Sequence, residues 1–170
     1  MSGAANGAAD SFTELCRGYY PAMVAIAHSI IGDRHLAEDA AQQAFARAAR
    51  KIGQLKKKSR FAAWMAAICR NEARDVARKN ERSACDRELS GAAIDECEGD
   101  AEREAVKEAI RRLSAKEREV IFLRFYDGLS YEKISAVLGI SGEAVNGRLR
   151  RAKKSIAGIL RREGFGEVKL

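Results

Sequence analysis

The sequence predicts an all-α chain: two small helical domains joined by a flexible acidic linker, the C-terminal one containing a helix-turn-helix. Three observations predict it. Alanine is abundant, Pro21 is the only proline, and no run alternates apolar and polar residues for long enough to form a strand. Apolar residues recur at helical spacing instead. Charge then divides the 170 residues into blocks: residues 1–44 hold 2 basic and 5 acidic side chains, 45–82 hold 12 and 3, 83–108 hold 3 and 9, and 109–170 hold 14 and 7. Two cationic stretches thus flank an acidic one in a chain of net charge +7, a distribution that attracts a polyanion at two places and repels it between them.

Residues 1–10, rich in small side chains, read as a disordered leader. Ser11 and Glu14 have the spacing of a capping box and open a first helix, along which Phe12, Leu15, Tyr19, Met23, Ile26 and Ile30 repeat as core. Pro21 is expected to kink or split it. Asp33 is placed to cap a second helix, with Leu36, Ala40, Ala44 and Ala48 in one row and Ala41, Phe45 and Ile52 in the next, ending at Gly53. Its other face presents Glu38, Asp39, Gln42 and Gln43, a pattern that suits either a solvated surface or a docked partner.

A basic loop follows, Lys56, Lys57, Lys58 and Arg60, with Ser59 placed to cap a third helix. Phe61, Trp64, Met65, Ile68 and Val76 form its inward stripe, while Arg70, Arg74 and Arg78 line up beside Asn71. Cations next to aromatics suit single-stranded nucleic acid, because charge tracks the backbone while a ring stacks on a base. A lone tryptophan at helical spacing also fits the core, so Trp64 has two readings. Residues 11–82 form the first domain.

Residues 83–101 contain no aromatic, two glycines and an acidic excess, the composition of a linker. Fully extended at ~3.5 Å per residue, such a segment reaches ~65 Å, about two turns of duplex at ~34 Å each. The second domain spans 102–170. Glu102 opens a helix with Ala105, Ala109, Ile110 and Leu113 inward, Ser114 and Glu117 make another capping box, and Val120, Ile121, Phe122 and Leu123 supply bulk.

On that bulk sits the helix-turn-helix, Gly128 to Lys154. Ser130 caps a helix that buries Ile134, Val137 and Leu138, and Gly139 supplies the left-handed backbone of the turn. Ser141 caps the second helix, in which Val145, Leu149 and Ala152 face inward. The outer side offers Gly142, Glu143, Asn146, Gly147 and Arg150 near the helix start, where base edges are met, while Arg148, Arg151, Lys153 and Lys154 suit phosphates.

Cys16, Cys69, Cys85 and Cys97 make no close CxxC pair, and His28 and His35 are the only histidines, so neither a metal site nor a cofactor is expected. Without a signal peptide or long apolar span the chain is expected in the reducing cytoplasm, with no membrane insertion. Cys16 and Cys69 then read as core, and Cys85 and Cys97 lie in the linker with a redox role left open. Clustered carboxylates with histidine, a phosphate-cradling glycine loop and an activated nucleophile are all missing, which argues against a nucleic-acid enzyme. A free-standing regulator with an N-terminal sensing or dimerising domain is the alternative to a subunit of a larger machine.

Taken in order, these segments resemble bacterial sigma-70 family factors of the extracytoplasmic function type. AEDAAQQAF, with Asp39, Gln42 and Phe45 at Asp-x-x-Gln-x-x-Phe spacing, is similar to that family's polymerase-binding helix. FAAWMAAICRNEARD is similar to its promoter-melting helix, and the run from Leu113 to Ile156 to the module that reads the upstream promoter element. The resemblance implies that Glu38, Asp39, Gln42, Gln43 and Phe45 dock on the clamp helices of the large subunit of RNA polymerase core, with a further contact to its flap region. It implies that Lys56, Lys57, Lys58, Arg60, Phe61, Trp64, Asn71, Arg74 and Arg78 capture the unwound downstream element, and that the helix from Ser141 enters the major groove of promoter DNA. The linker would thread through the polymerase, and an anti-sigma factor, in some cases at the membrane, would hold the chain inactive. Two positions depart from the family: Gln43 stands where an acid is usual, and Gly147 where a serine is common.

Overall fold

A computed structural model describes the backbone of residues 3–88 and 101–165, and the side chains of 13–82 and 101–165. Among these residues the chain is helix, short 3-10 turns and loop, with no strand. Helix α1 (Gly3–Ile31) begins upstream of the Ser11–Glu14 spacing and takes in all of the expected leader except residues 1–2, which lie outside the described set. It runs unbroken through Pro21, where a kink or split was expected. Pro21 lies on the exposed side, where water can serve the carbonyl that loses its partner, while the buried run Ala22–Ala27 holds the axis from the other side.

Gly32, at φ 80°, reverses the chain into α2 (Arg34–Lys51), and the Asp33 carboxylate caps it by accepting from the Leu36 N–H at 2.8 Å. Ala37, Ala40, Ala41, Ala44 and Ala48 are fully buried, and their small side chains let α2 lie close to α1 and α3. Ile52, expected in the core row, is exposed instead, because the helix tightens at Lys51 into a 3-10 turn over Ile52–Gln54 that takes in Gly53. A second 3-10 turn, Lys58–Arg60, runs straight into α3 (Phe61–Glu88), so Ser59 lies inside that turn rather than capping the helix. Met23, Ile26, Met65 and Cys69 fill the space between α1 and α3, where the Cys69 thiol donates to the Met23 carbonyl at 3.2 Å. Burial pushes that thiol up to about 12.

Helix α3 continues through residue 88 into the segment expected as linker, and residues 89–100 lie outside the described set. The chain is described again at α4 (Ala101–Arg111). The capping box at Ser114 and Glu117 forms as expected and starts α5 (Ala115–Ile121). α5 widens without a break into a π turn over Phe122–Tyr126, closed by the Asp127 N–H donating to the Phe122 carbonyl. α6 (Tyr131–Leu138) and α7 (Gly142–Arg162) complete the chain, capped by Ser130 and Ser141. Val120, Leu123, Ile134, Val137, Val145, Leu149, Ile156 and Leu160 form the core of this C-terminal unit.

The two helical units rest on one another. α1 packs against α5 and the π turn, and α3 packs against α6. Their cationic surfaces are turned outward: Lys56, Lys57, Lys58, Arg60, Arg150, Arg151 and Lys154 are all exposed.

Candidate nucleic-acid interface

The face of α2 is set by its buried alanines, which leave Asp39, Gln42 and Gln43 exposed and Glu38 and Phe45 half-buried at its edges. Glu38 accepts from Arg34 at 3.0 Å across one helical turn. The Phe45 ring stacks on Tyr20 of α1 with centroids 6.0 Å apart. Gln42 and Phe45 thereby border a largely apolar groove of about 420 Å3 whose other wall is Thr13, Cys16, Arg17 and Tyr20. α2 is fixed to α3 by an ion pair between Arg47 and the buried Glu72 at 2.5 Å. A helix with two acids, two amides and an aromatic edge over an apolar trough has the chemistry of a protein-docking face.

The basic loop presents Lys56, Lys57, Lys58 and Arg60 to solvent through its two 3-10 turns, and Asn71, Arg74 and Arg78 are exposed along α3. Arg74 donates to the Asn71 amide oxygen at 3.4 Å, and Arg78 pairs with Asp75 one turn back. Trp64 is half-buried, its ring 6.1 Å from that of Phe61. Phe61 keeps the inward place that its spacing gave it, which does not suit the strand contact that the resemblance implied. Only 4 % exposed, with its ring 5.8 Å from Tyr19, it backs Trp64 instead of offering a face to a base. The third arginine of the expected row is also withdrawn: Arg70 donates to Glu119 of α5 at 2.6 Å.

The helix-turn-helix has the expected geometry. Gly139 takes φ 65° and ψ 34°, the Ser130 and Ser141 hydroxyls accept from the Lys133 and Ala144 N–H groups, and the Ser135 hydroxyl donates to the Ile140 carbonyl across the turn. Ser141, Gly142, Glu143, Asn146, Arg150, Arg151 and Lys154 are exposed, with Gly147, Arg148 and Lys153 half-buried.

Other side chains join this surface from elements whose spacing gave no sign of it. Arg124 and Phe125 of the π turn and Tyr131 of α6 meet Asn146, Leu149, Arg150 and Lys153 around a concavity of about 320 Å3. Arg124 lies over the Tyr131 ring at 5.4 Å, and Lys153 over Phe125 at 5.1 Å. Helical spacing gave no sign of this group: Phe125 lies in the π turn and is 57 % exposed. The groove partners Cys16, Arg17 and Tyr20 were hidden for another reason: they sit on a different helix from the motif they adjoin.

A family profile described as Sigma-70 region 2 matches residues 15–83, and one described as Sigma-70, region 4 matches residues 103–156. The chain is 30% identical over 152 residues to the RNA polymerase sigma-H factor of Pseudomonas aeruginosa, covering 76% of this chain and 79% of that protein. It is 30% identical over 168 residues to the probable RNA polymerase sigma factor RfaY of Xanthomonas campestris, covering 90% of this chain but 41% of that protein, so it spans about two fifths of that relative's length. The co-crystal structure of the sigma factor RpoE with the anti-sigma factor NepR from Bartonella quintana is similar at a TM-score of 0.57 and 29% identity, over 89% of this chain and 97% of that one.

Proposed function

Because the chain belongs to the sigma-70 family of RNA polymerase sigma factors, in its extracytoplasmic function group, we propose that it is the promoter-specificity subunit of a bacterial RNA polymerase. The observation that carries this reading is the presence, in one chain and in the family's order, of an acid-amide-aromatic docking face on α2 and an exposed helix-turn-helix start at Ser141–Arg150. In this reading Glu38, Asp39, Gln42, Gln43 and Phe45 bind the clamp helices of the polymerase, and the C-terminal unit adds a contact to the flap region. Ser141, Gly142, Glu143, Asn146 and Arg150 meet base edges of the upstream element, while Arg148, Arg151, Lys153 and Lys154 meet its phosphates.

Downstream, Lys56, Lys57, Lys58 and Arg60 track the backbone and Trp64, supported by Phe61, offers a ring to an unstacked base, with Asn71, Arg74 and Arg78 alongside. Opening the duplex costs ~1.4 kcal/mol per stacking step, which polymerase contacts and single-strand capture must together offset. The chain itself makes and breaks no covalent bond in this scheme; the polymerase synthesises. Among the described residues no helix is long and apolar enough to cross a membrane, which fits work in the cytoplasm. An anti-sigma factor, of the kind solved with the Bartonella quintana relative, is the expected inhibitor.

The test is to mix the purified chain with sigma-free core polymerase and a promoter library and sequence the transcripts. Start sites that share two spaced elements, together with a loss of polymerase binding by about tenfold or more in Asp39→Arg, support the proposal. Sequence-specific duplex binding without polymerase, and no transcripts, would contradict it in favour of a free-standing regulator.

A further inference from the structure

Helix α2 turns a methyl surface inward. Every buried residue it has is an alanine, at positions 37, 40, 41, 44 and 48, and the helix packs on both α1 and α3. Alanine lets helices approach closely, but methyl groups raise no ridge tall enough to lock into a neighbour's groove. Sliding α2 along α3 therefore changes little in the apolar area buried.

One polar contact interrupts this smoothness. Glu72 of α3, its side chain only 8% exposed, pairs with Arg47 of α2 at 2.5 Å. The Oε1 atom that faces Arg47 is sealed from water and has no second partner among the described residues, so the carboxylate depends on that one cation. A slip of one helical turn, ~5.4 Å, draws the two groups apart and leaves a buried charge uncompensated. The two residues also stand where the candidate surfaces adjoin. Arg47 follows Gln43 and Asp39 at i+4 and i+8, and so closes the exposed row of α2. Glu72 sits directly after Asn71 and two residues before Arg74, both exposed on α3.

We propose that the Arg47–Glu72 pair is a register pin. It sets the docking row of α2 against the strand-capture row of α3, so that polymerase bound to the first presents the second to the opened strand. Both are positioning residues, acting through Asp39 and Gln43 on one side and Asn71 and Arg74 on the other. The presentation rests on the promoter-recognition reading above; the pinning does not. A buried ion pair adds little net stability over apolar side chains of similar volume, and holding one arrangement among near-equals is the use that suits it best.

Two measurements on the full-length chain test the pin. The first replaces both charges by methionine, Arg47→Met with Glu72→Met, side chains that fill the space but adopt many rotamers and specify little. The melting temperature should hold or rise, and affinity for sigma-free core polymerase should be unchanged. Permanganate-reactive thymines at saturating polymerase should nevertheless fall about tenfold, because the capture row is misplaced. Arg47→Lys keeps a cation at the site and should retain most of the opening. The second measurement needs no polymerase. Spin labels on Arg50→Cys of α2 and Asn80→Cys of α3, both exposed positions, report the spread of distances between the helices by pulsed electron resonance, with Cys16, Cys85 and Cys97 replaced by serine. One narrow distribution is expected with the ion pair in place, and a broad or split one with the methionine pair. Opening equal to the wild type, a joint loss of polymerase affinity and opening, a fall in melting temperature, or a distribution that stays narrow would each overturn the pin. A wild-type chain that neither binds core polymerase nor opens a promoter would count against the promoter-recognition reading itself, and the label distances alone would then decide the pin.

Discussion

His28 shows how much one side chain can carry at the junction of the units. Burial beside Phe122 and Tyr126 holds its imidazole below the ordinary value of 6.5, against the opposing pull of the Gly32 backbone and Asp33, with Arg34 acting in the same direction as burial. Parting the units returns the ring to water and to its ordinary affinity for protons. The packed state therefore keeps its full stability above pH ~6.5 and loses it as pH falls toward the lowered value, because only the open form takes up the proton easily. Scattering at pH ~7.5 and ~5.5 should show expansion at the lower pH. His28→Phe should remove that step, and a step of equal size in the variant would assign the proton elsewhere. Phe61 teaches a different lesson at this scale. Helical spacing placed it inward while the family resemblance implied contact with the opened strand, and burial against Tyr19 and Trp64 keeps to the first, making it a support for the tryptophan.

Among the elements, α7 combines a firm start with one soft position. Its Ser141 cap accepts from Ala144, and its inward stripe of Val145, Leu149, Ala152, Ile156 and Leu160 is buried, but Gly147 interrupts the outer face. A Cβ there would come no closer than 3.8 Å to any atom outside the local backbone, the nearest being the end of the flexible Arg151 side chain. Gly147→Ala should therefore stabilise the helix by ~0.5–1 kcal/mol and raise the melting temperature by about 2–4 °C. If close approach of the DNA backbone uses the missing side chain, affinity for the upstream element falls at the same time. A melting temperature that drops would show instead that the free chain needs the glycine. The caps at Asp33, Ser114, Ser130 and Ser141, and the left-handed Gly139, were all legible in the sequence, since each depends on residues within a few positions of one another. The continuity of α1 through Pro21 and the π turn after Ile121 were not, because both are decided by what packs against the helix from a distant part of the chain.

At the scale of the whole molecule, the alternation of charge and the order of the motifs announced two helical units with separate cationic faces, and those faces do point outward. What local pattern could not supply was the contact between them. Arg70 reads from spacing as one more cation in a row with Arg74 and Arg78; only a carboxylate 49 residues away, at Glu119, gives it a different task. The central claim is that this chain opens promoter DNA only as part of a polymerase. Permanganate probing of unpaired thymines, on a promoter recovered from the transcript library, tests it most directly. Reactive thymines should appear downstream only when the chain and core polymerase are both present, and should be lost in Trp64→Ala while protection of the upstream element persists. Reactivity with the chain alone, or none with the two combined, would contradict the account.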